Sequence, residues 1–279
     1  MTAVALATAC AVIFGTADFF GGLATRRSKV LAVVVLSQLG GLLLVAALLP
    51  ALPGHPSTAA LAWGMASGVA GAFGIVLFYR GLATGMMSVI APTTATTAMA
   101  VPVVFGLLTG DRPSPLALVG VVLGLFAVLL VSREPDNGGA RGPKAGPILA
   151  ALVSGAGFGG FFVLLKLAPA DSGTWPLLGA RIASIALVAL LALVTRRSLR
   201  PVPGSLTVTI AAGVLDMAAN VLYLFAAQRG MLTLVAVLVS LYPASTLLLA
   251  RYVLGERLSA VQITGVGFAL GAIALIAAA

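Results

Sequence analysis

The stretch LTGDRPS at 108–114 returns, little altered, as LGERLS at 254–259. Each copy sets a glycine, an acid, an arginine and a serine between two long apolar runs, and Gly255 follows Gly110 by 145 positions. At that same shift, without a gap, Val76 meets Val221, Leu77 meets Leu222, Gly85 meets Gly230, Met86 meets Met231, Arg112 meets Arg257, Ser114 meets Ser259 and Gly120 meets Gly265. Matched Val and Leu arise by chance in so apolar a chain, so the aligned Gly, Arg and Ser carry the signal of duplication.

Working outward, the 279 residues are 61% hydrophobic and 8% charged, which places the chain in lipid rather than water. With about 20 apolar residues per crossing, ten spans fit: about 2–24, 30–50, 58–79, 87–109, 114–132, 147–169, 174–195, 205–228, 231–253 and 259–279. The first run is long enough to span and ends in TRRSK without a small-residue cleavage site, so it reads as a retained helix. A Gly/Pro-rich charged linker at 133–146 separates two five-helix units, 1–132 and 147–279. Five is odd, so the second unit enters the membrane from the opposite face. The expected fold is an all-α integral membrane protein of ten transmembrane helices in two inverted repeats.

Charge is distributed accordingly. Arg26, Arg27, Lys29, Arg80, Arg133, Arg141, Lys144, Arg196, Arg197, Arg200, Arg251 and Arg257 adjoin odd-numbered loops, against Arg112, Lys166 and Arg229 at even ones. The net charge of +9 is therefore a topology signal rather than a nucleic-acid surface. It predicts a multi-pass protein of the cell membrane with odd loops cytoplasmic and both termini outside. The single cysteine, Cys10, excludes an internal disulfide framework and a thiolate metal cluster.

The run LYLFAAQRGMLTLVAVLVSLYPASTLLLARYVLGERLSAVQITGVGFALGAIALI, from 222 to 276, resembles the second half of EamA-type members of the drug/metabolite transporter superfamily. LFYRGLATGMMSVIAPTTATTAMAVPVVFGLLTGDRPSPLALVGVVLG is a weaker copy, and FGTADFFGGLATRR is similar to the family's first helix. The resemblance implies a ten-helix inverted-repeat carrier for a small metabolite, amino acid or drug, usually moved outward. Two departures stand out. Ala98 occupies the place of Pro243, and the resemblance implies both termini inside, against the charge count.

Inside the spans, a carboxylate or guanidinium near mid-membrane costs roughly 2.5–3.5 kcal/mol, so Asp18, Arg181 and Asp216 are candidate functional residues. At about 1.5 Å of rise per residue, Asp216 lies close to mid-membrane and Arg181 at a similar depth, within reach of pairing. Asp18 falls nearer the odd-loop end, in range of Arg80. Asn220 and Tyr223 continue a polar stripe from Asp216 along one face of the eighth span, and Gln38 with Ser37 is a lesser candidate on the second. At the 145-residue shift these residues lack like mates: Asp216 faces Gly71, Arg181 Leu36, Asn220 Ile75 and Asp18 Val163. Substrate binding or coupling is one reading of the group. The other is a structural ion pair that sets helix register, with Gln38 and Tyr223 as interhelical hydrogen-bonders. Asp111, Arg112, Glu256 and Arg257 read as structural loop residues that tie down tight turns. Glycines four apart (64/68, 120/124, 155/159, 267/271) mark close packing, and Pro92 and Pro243 mark weak points in the fourth and ninth spans.

Secondary-active transport by alternating access follows, with protonation of Asp216 or Asp18 as a coupling step. No GxxxxGK[ST] loop, HExxH or GxSxG is present, and the only histidine, His55, has no acidic neighbour in sequence, so neither a nucleotide engine nor an enzyme is expected. A channel or a non-transporting receptor remains the alternative. The implied partners are a small-molecule substrate and the lipid bilayer, in a monomer or homodimer, with no cofactor, metal or nucleic acid.

Overall fold

The structure is a computed structural model. It describes the backbone of all residues except 27, 85–86, 133–144, 197–201, 203 and 256, and the side chains of the rest except 79–84, 87–92, 145 and 147. The described residues form helices without strands: α1 (Thr2–Thr25), α2 (Val30–Leu48), α3 (Thr58–Thr84), α4 (Met87–Leu108), α5 (Pro115–Val131), α6 (Ala145–Lys166), α7 (Trp175–Val194), α8 (Leu206–Arg229), α9 (Leu232–Val239), α10 (Tyr242–Val253) and α11 (Ala260–Ala278). Among the described residues eight segments are long and apolar enough to cross a membrane, α9 and α10 counting together as one, and two shorter apolar helices accompany them.

The ninth expected span is broken. α9 ends at Val239 and α10 restarts at Tyr242, with Pro243 in its first turn, where a missing N–H costs no hydrogen bond. Its counterpart α4, with Ala98 at the matching position, runs through. The expected weak point at Pro92 involves a side chain outside the described residues.

The halves interleave rather than pack as two lobes. α1 runs antiparallel to α8, with Ala3 at Gly230, Cys10 Sγ donating to the Ala219 carbonyl (3.1 Å), and Ser28 and Ser205 hydroxyls 2.7 Å apart. α6 runs antiparallel to α3, where Ser154 Oγ donates to the Gly74 carbonyl (2.7 Å). α3 lies parallel to α7, Gly64 on Pro176 and Gly68 on Ala180, and α8 crosses α2 with Gly213 on Ser37. α4 lies parallel to α6, and α10 packs on α1, where Thr246 Oγ1 donates to the Gly15 carbonyl (3.0 Å). α5 and α11 pair antiparallel through Gly120, Gly124 and Gly265. Exchanging the halves maps each of these pairings onto another or onto itself. Two bundles result, one of α1, α2, α8, α9 and α10, the other of α3, α4, α6 and α7.

The glycine pairs 64/68, 120/124 and 155/159 all sit at helix contacts, because a Cβ at any of them would press into the neighbouring helix. Gly267 does not: nothing lies within 4 Å of a Cβ placed there, and only Gly271 of that pair meets a neighbour, Leu123.

The duplicated phrase divides its labour by residue type. Gly110 (φ 109°) and Gly255 (φ 70°) adopt left-handed backbone that disfavours side chains. Ser114 caps α5 by accepting from Ala117 N–H, and Ser259 forms a capping box with Gln262 on α11. Arg112 and Arg257 are exposed. Asp111 leaves its own turn: its Oδ2 accepts from Thr233 N–H at 2.8 Å and so satisfies the start of α9, in the other half. Its counterpart Glu256 lies outside the described residues.

Candidate functional site

The charged residues inside the spans gather where the two bundles meet. Arg181 on α7 forms an ion pair with Asp216 on α8, and its second guanidinium nitrogen donates to Gln38 Oε1 on α2 at 3.4 Å. Ser184, one turn along α7 from Arg181, donates to the same Gln38 oxygen. α7 belongs to one bundle and α2 and α8 to the other, so this network bridges them. The close approach that permits it comes from glycine: Gly41 on α2 lies against the Arg181 guanidinium and the Gly213 carbonyl. Any side chain at 41 would displace the arginine.

Burial is uneven within the pair. The Arg181 side chain is 13% exposed and that of Asp216 36%. Arg181 is thus enclosed by its partners, whereas the carboxylate keeps surface of its own. Asn220, one turn beyond, donates through Nδ2 to the Asp216 carbonyl (2.8 Å) and to Oδ2 (3.3 Å), which holds the carboxylate toward α7. Asn220 is only 3% exposed and its Oδ1 has no partner.

Tyr223 continues the stripe but faces protein. It is fully buried, donates to the Phe162 carbonyl on α6 at 2.7 Å, and packs on the Phe162 ring with centroids 4.5 Å apart. That contact is a second tie between bundles.

Asp18 stands apart from the pair. It lies on α1 within Coulombic range of Asp216 and of the Tyr242 hydroxyl, and no described residue hydrogen-bonds or ion-pairs with it. Its side chain is exposed. Arg80, the partner its position in sequence offered, has a side chain outside the described residues. Phe14, one turn before Asp18, and Tyr242 at the start of α10 face each other with centroids 6.2 Å apart.

Sequence reasoning passed over Ser184, Phe14 and Tyr242. Ser184 could have been found, since it follows Arg181 by three residues and shares its helix face. The two aromatics carried no signal, because aromatic residues are ordinary in apolar spans. No group of three or more His, Cys, Asp or Glu among the described residues could hold a metal ion.

Against known proteins, no curated sequence matches this chain. One solved structure, described only as "Crystal structure of protein", superposes with a TM-score of 0.80 at 20% identity, covering 98% of this chain and 95% of that one. The likeness establishes a shared fold. A model of the EamA-like transporter family matches residues 1–133 and again 145–278. Nearly the whole chain is thereby accounted for as two copies of one unit, and the protein belongs to the EamA-like transporter family, within the drug/metabolite transporter superfamily.

Proposed function

We propose that this chain is a secondary-active carrier of a small metabolite, amino acid or drug, built from ten membrane spans in two inverted five-helix repeats and working by alternating access. The observation that carries the reading is the Arg181–Asp216 pair, which sits within the membrane and joins helices of opposite bundles. An ion pair there costs desolvation that apolar residues of similar size would not. Rocking of one bundle against the other makes and breaks such a contact, whereas a pair within one bundle would feel nothing.

Helix sense supports inversion. Spans whose numbers differ by an even count, such as α3 with α7 and α4 with α6, run parallel, and α1 with α8 and α3 with α6 run antiparallel. The even-loop end supports a closed state on that side. There Asp111 joins Thr233 and His55 N–H donates to the Asp171 carbonyl (3.0 Å), both contacts linking the halves, while Lys166 on α6 donates to the Ala227 carbonyl on α8 and links the two bundles. The positive-inside rule assigns the odd loops to the cytoplasm, with both termini outside the cell membrane. Export is the direction implied by the family resemblance, and protonation of Asp18 or Asp216 is the coupling step offered.

Counterflow in proteoliposomes tests this. Trans-stimulated exchange of a solute supports a carrier, and flux indifferent to trans solute supports the channel reading. A C-terminal reporter active only in the cytoplasm should be silent, and activity would reverse the orientation.

A further inference from the structure

We propose that the odd-loop ends of α1, α2, α7 and α8 hold the phosphate of an anionic phospholipid. Arg26, Lys29 and Arg196 supply the charge, and exposed Leu193, Val202 and Leu206 seat its acyl carbon. The proposal rests on the chain spanning a membrane and is independent of the carrier reading.

Two stretches from opposite halves finish their helices alike: TRRSK at 25–29 closes α1, and TRRSLR at 195–200 follows α7. Together they hold six bases and no acid. Of these the structure describes Arg26, Lys29 and Arg196, all exposed. The odd loops as a whole contain only three acids, Glu134, Asp136 and Glu256, so that end of the molecule has no surplus of negative charge to offset them.

A closed ring of hydrogen bonds joins the two stretches into one surface. Val202 N–H donates to Ser28 Oγ (3.1 Å) and Ser205 Oγ donates to the Val202 carbonyl (2.8 Å), so in the contact between the two hydroxyls (2.7 Å) Ser28 is the donor. Both serines are buried. Helix register brings the cations near: Gln38 meets Ser184 and Gly41 meets Arg181 on antiparallel α2 and α7, which sets Lys29 level with Leu193, one turn short of Arg196. Like charges held together repel until an anion joins them. The positive-inside rule asks for bases in these loops, but not for a buried ring that fixes them side by side.

Backbone conformation points the same way. Arg196 takes the left-handed conformation (φ 49°) at the end of α7, its N–H on the Leu193 carbonyl (3.0 Å), a place that glycine fills without steric cost. A side chain kept there against backbone preference has a use for its guanidinium. The surroundings favour a lipid over a soluble phosphate, because Leu193 is level with Lys29, Val202 bonds Ser28 and Leu206 follows Ser205, and all three are exposed apolar residues. At the other end of the molecule the equivalent loops, 51–57 and 170–174, meet backbone to backbone at Gly54 and Gly173 and carry no Lys or Arg. Joining these loops therefore does not itself require bases.

Native mass spectrometry of the full-length protein tests this with phosphatidylglycerol and phosphatidylcholine of equal chain length, and with glycerol 3-phosphate as the headgroup alone. Phosphatidylglycerol should bind at least about tenfold more tightly than phosphatidylcholine, on a scale of roughly fivefold per cation, and glycerol 3-phosphate should not displace it. Arg196→Gly should lower the affinity about fivefold while the thermal midpoint in phosphatidylcholine holds or rises, since the backbone strain leaves with the charge. Lys29→Gln should act alike on affinity, and Ser28→Ala, which removes no charge, should also weaken binding. Arg257→Gln, at the same end of the molecule, should leave it unchanged. No preference for the anionic lipid, displacement by glycerol 3-phosphate, an equal loss in Arg257→Gln, or full affinity in folded Ser28→Ala overturns the proposal. Should Ser28→Ala fail to fold, judged by gel filtration and circular dichroism, Arg196→Gly and Lys29→Gln against Arg257→Gln decide.

Discussion

α3 and α8 hold equivalent places in the two halves, and their mid-points differ in kind. On α3, Gly71 receives the Phe161 ring of α6, 3.2 Å from where a Cβ would lie. On α8 the equivalent residue is Asp216, which meets Arg181. One turn earlier the two helices still agree: Gly68 and Gly213 both abut a neighbouring backbone, that of Ala180 and of Ser37. Glycine at the helix contact has been kept in both copies, while the position facing the bundle junction has become aromatic-filled on one side and charged on the other. A two-fold scaffold can thus present an asymmetric site, because packing constrains the small-residue rows and leaves the junction-facing positions free to diverge.

The sharpest way to break that comparison is to remove the charge that distinguishes α8. Asp216→Asn should reduce solute exchange in proteoliposomes to background while the protein still inserts, and normal exchange would remove Asp216 from the mechanism. Arg181→Ala leaves Asp216 without its cation, for which about 3–5 kcal/mol of destabilisation is the scale for a buried pair. The half-exposed Asp216 side chain places the expected loss toward the lower end, read as a fall in the thermal midpoint. Making α3 resemble α8 is the converse: Gly71→Asp overpacks against Phe161 and should cost about 1–3 kcal/mol without creating a partner for the new charge.

Smaller effects sharpen the same contrast at the duplicated phrase. Asp111→Ala strips the start of α9 of its acceptor, a loss of about 1 kcal/mol on the scale of a helix cap. Ser259→Ala and Ser114→Ala each fall in the range of about 0.5–2 kcal/mol. The two should cost alike, because each loses one acceptor for a backbone N–H, while the other bond of the capping box, Ser259 N–H to Gln262 Oε1, survives in Ser259→Ala. Arg112→Gln, at an exposed position, should stay within about 0.5 kcal/mol of the parent. An effect of Arg112 as large as that of Asp111 would show that the arginine also joins the halves.

How much of this was legible in advance depends on the residue. Arg181 and Asp216 announced themselves, because ionised groups in lipid are costly and two at one depth have reason to meet. Gln38 was visible as a polar residue in an apolar run, though nothing in the chain said that it shares Arg181 with Asp216. Asp111 looked like part of its own turn and instead reaches the other half, since sequence adjacency to Gly110 and Ser114 gave no hint of Thr233. Asp18 was placed near Arg80 by depth alone, and its nearness to Asp216 and Tyr242 appears only once α1 lies beside α8 and α10.

By itself the sequence determined the solvent, the helical character, the duplication and the glycines and serine caps of the two tight turns, because each of these is decided by local composition or by residues a few positions apart. The tertiary structure alone decided which helix lies against which, that α9 and α10 part at Val239, and that the polar network bridges two bundles made of both halves. The physical reason is that these helices are apolar on nearly every side. With lipid around them there is no wet face to balance a dry one, so no stripe in the sequence marks the contact surface. The partners are chosen by the fit of glycine notches and a few hydrogen bonds between residues far apart in the chain.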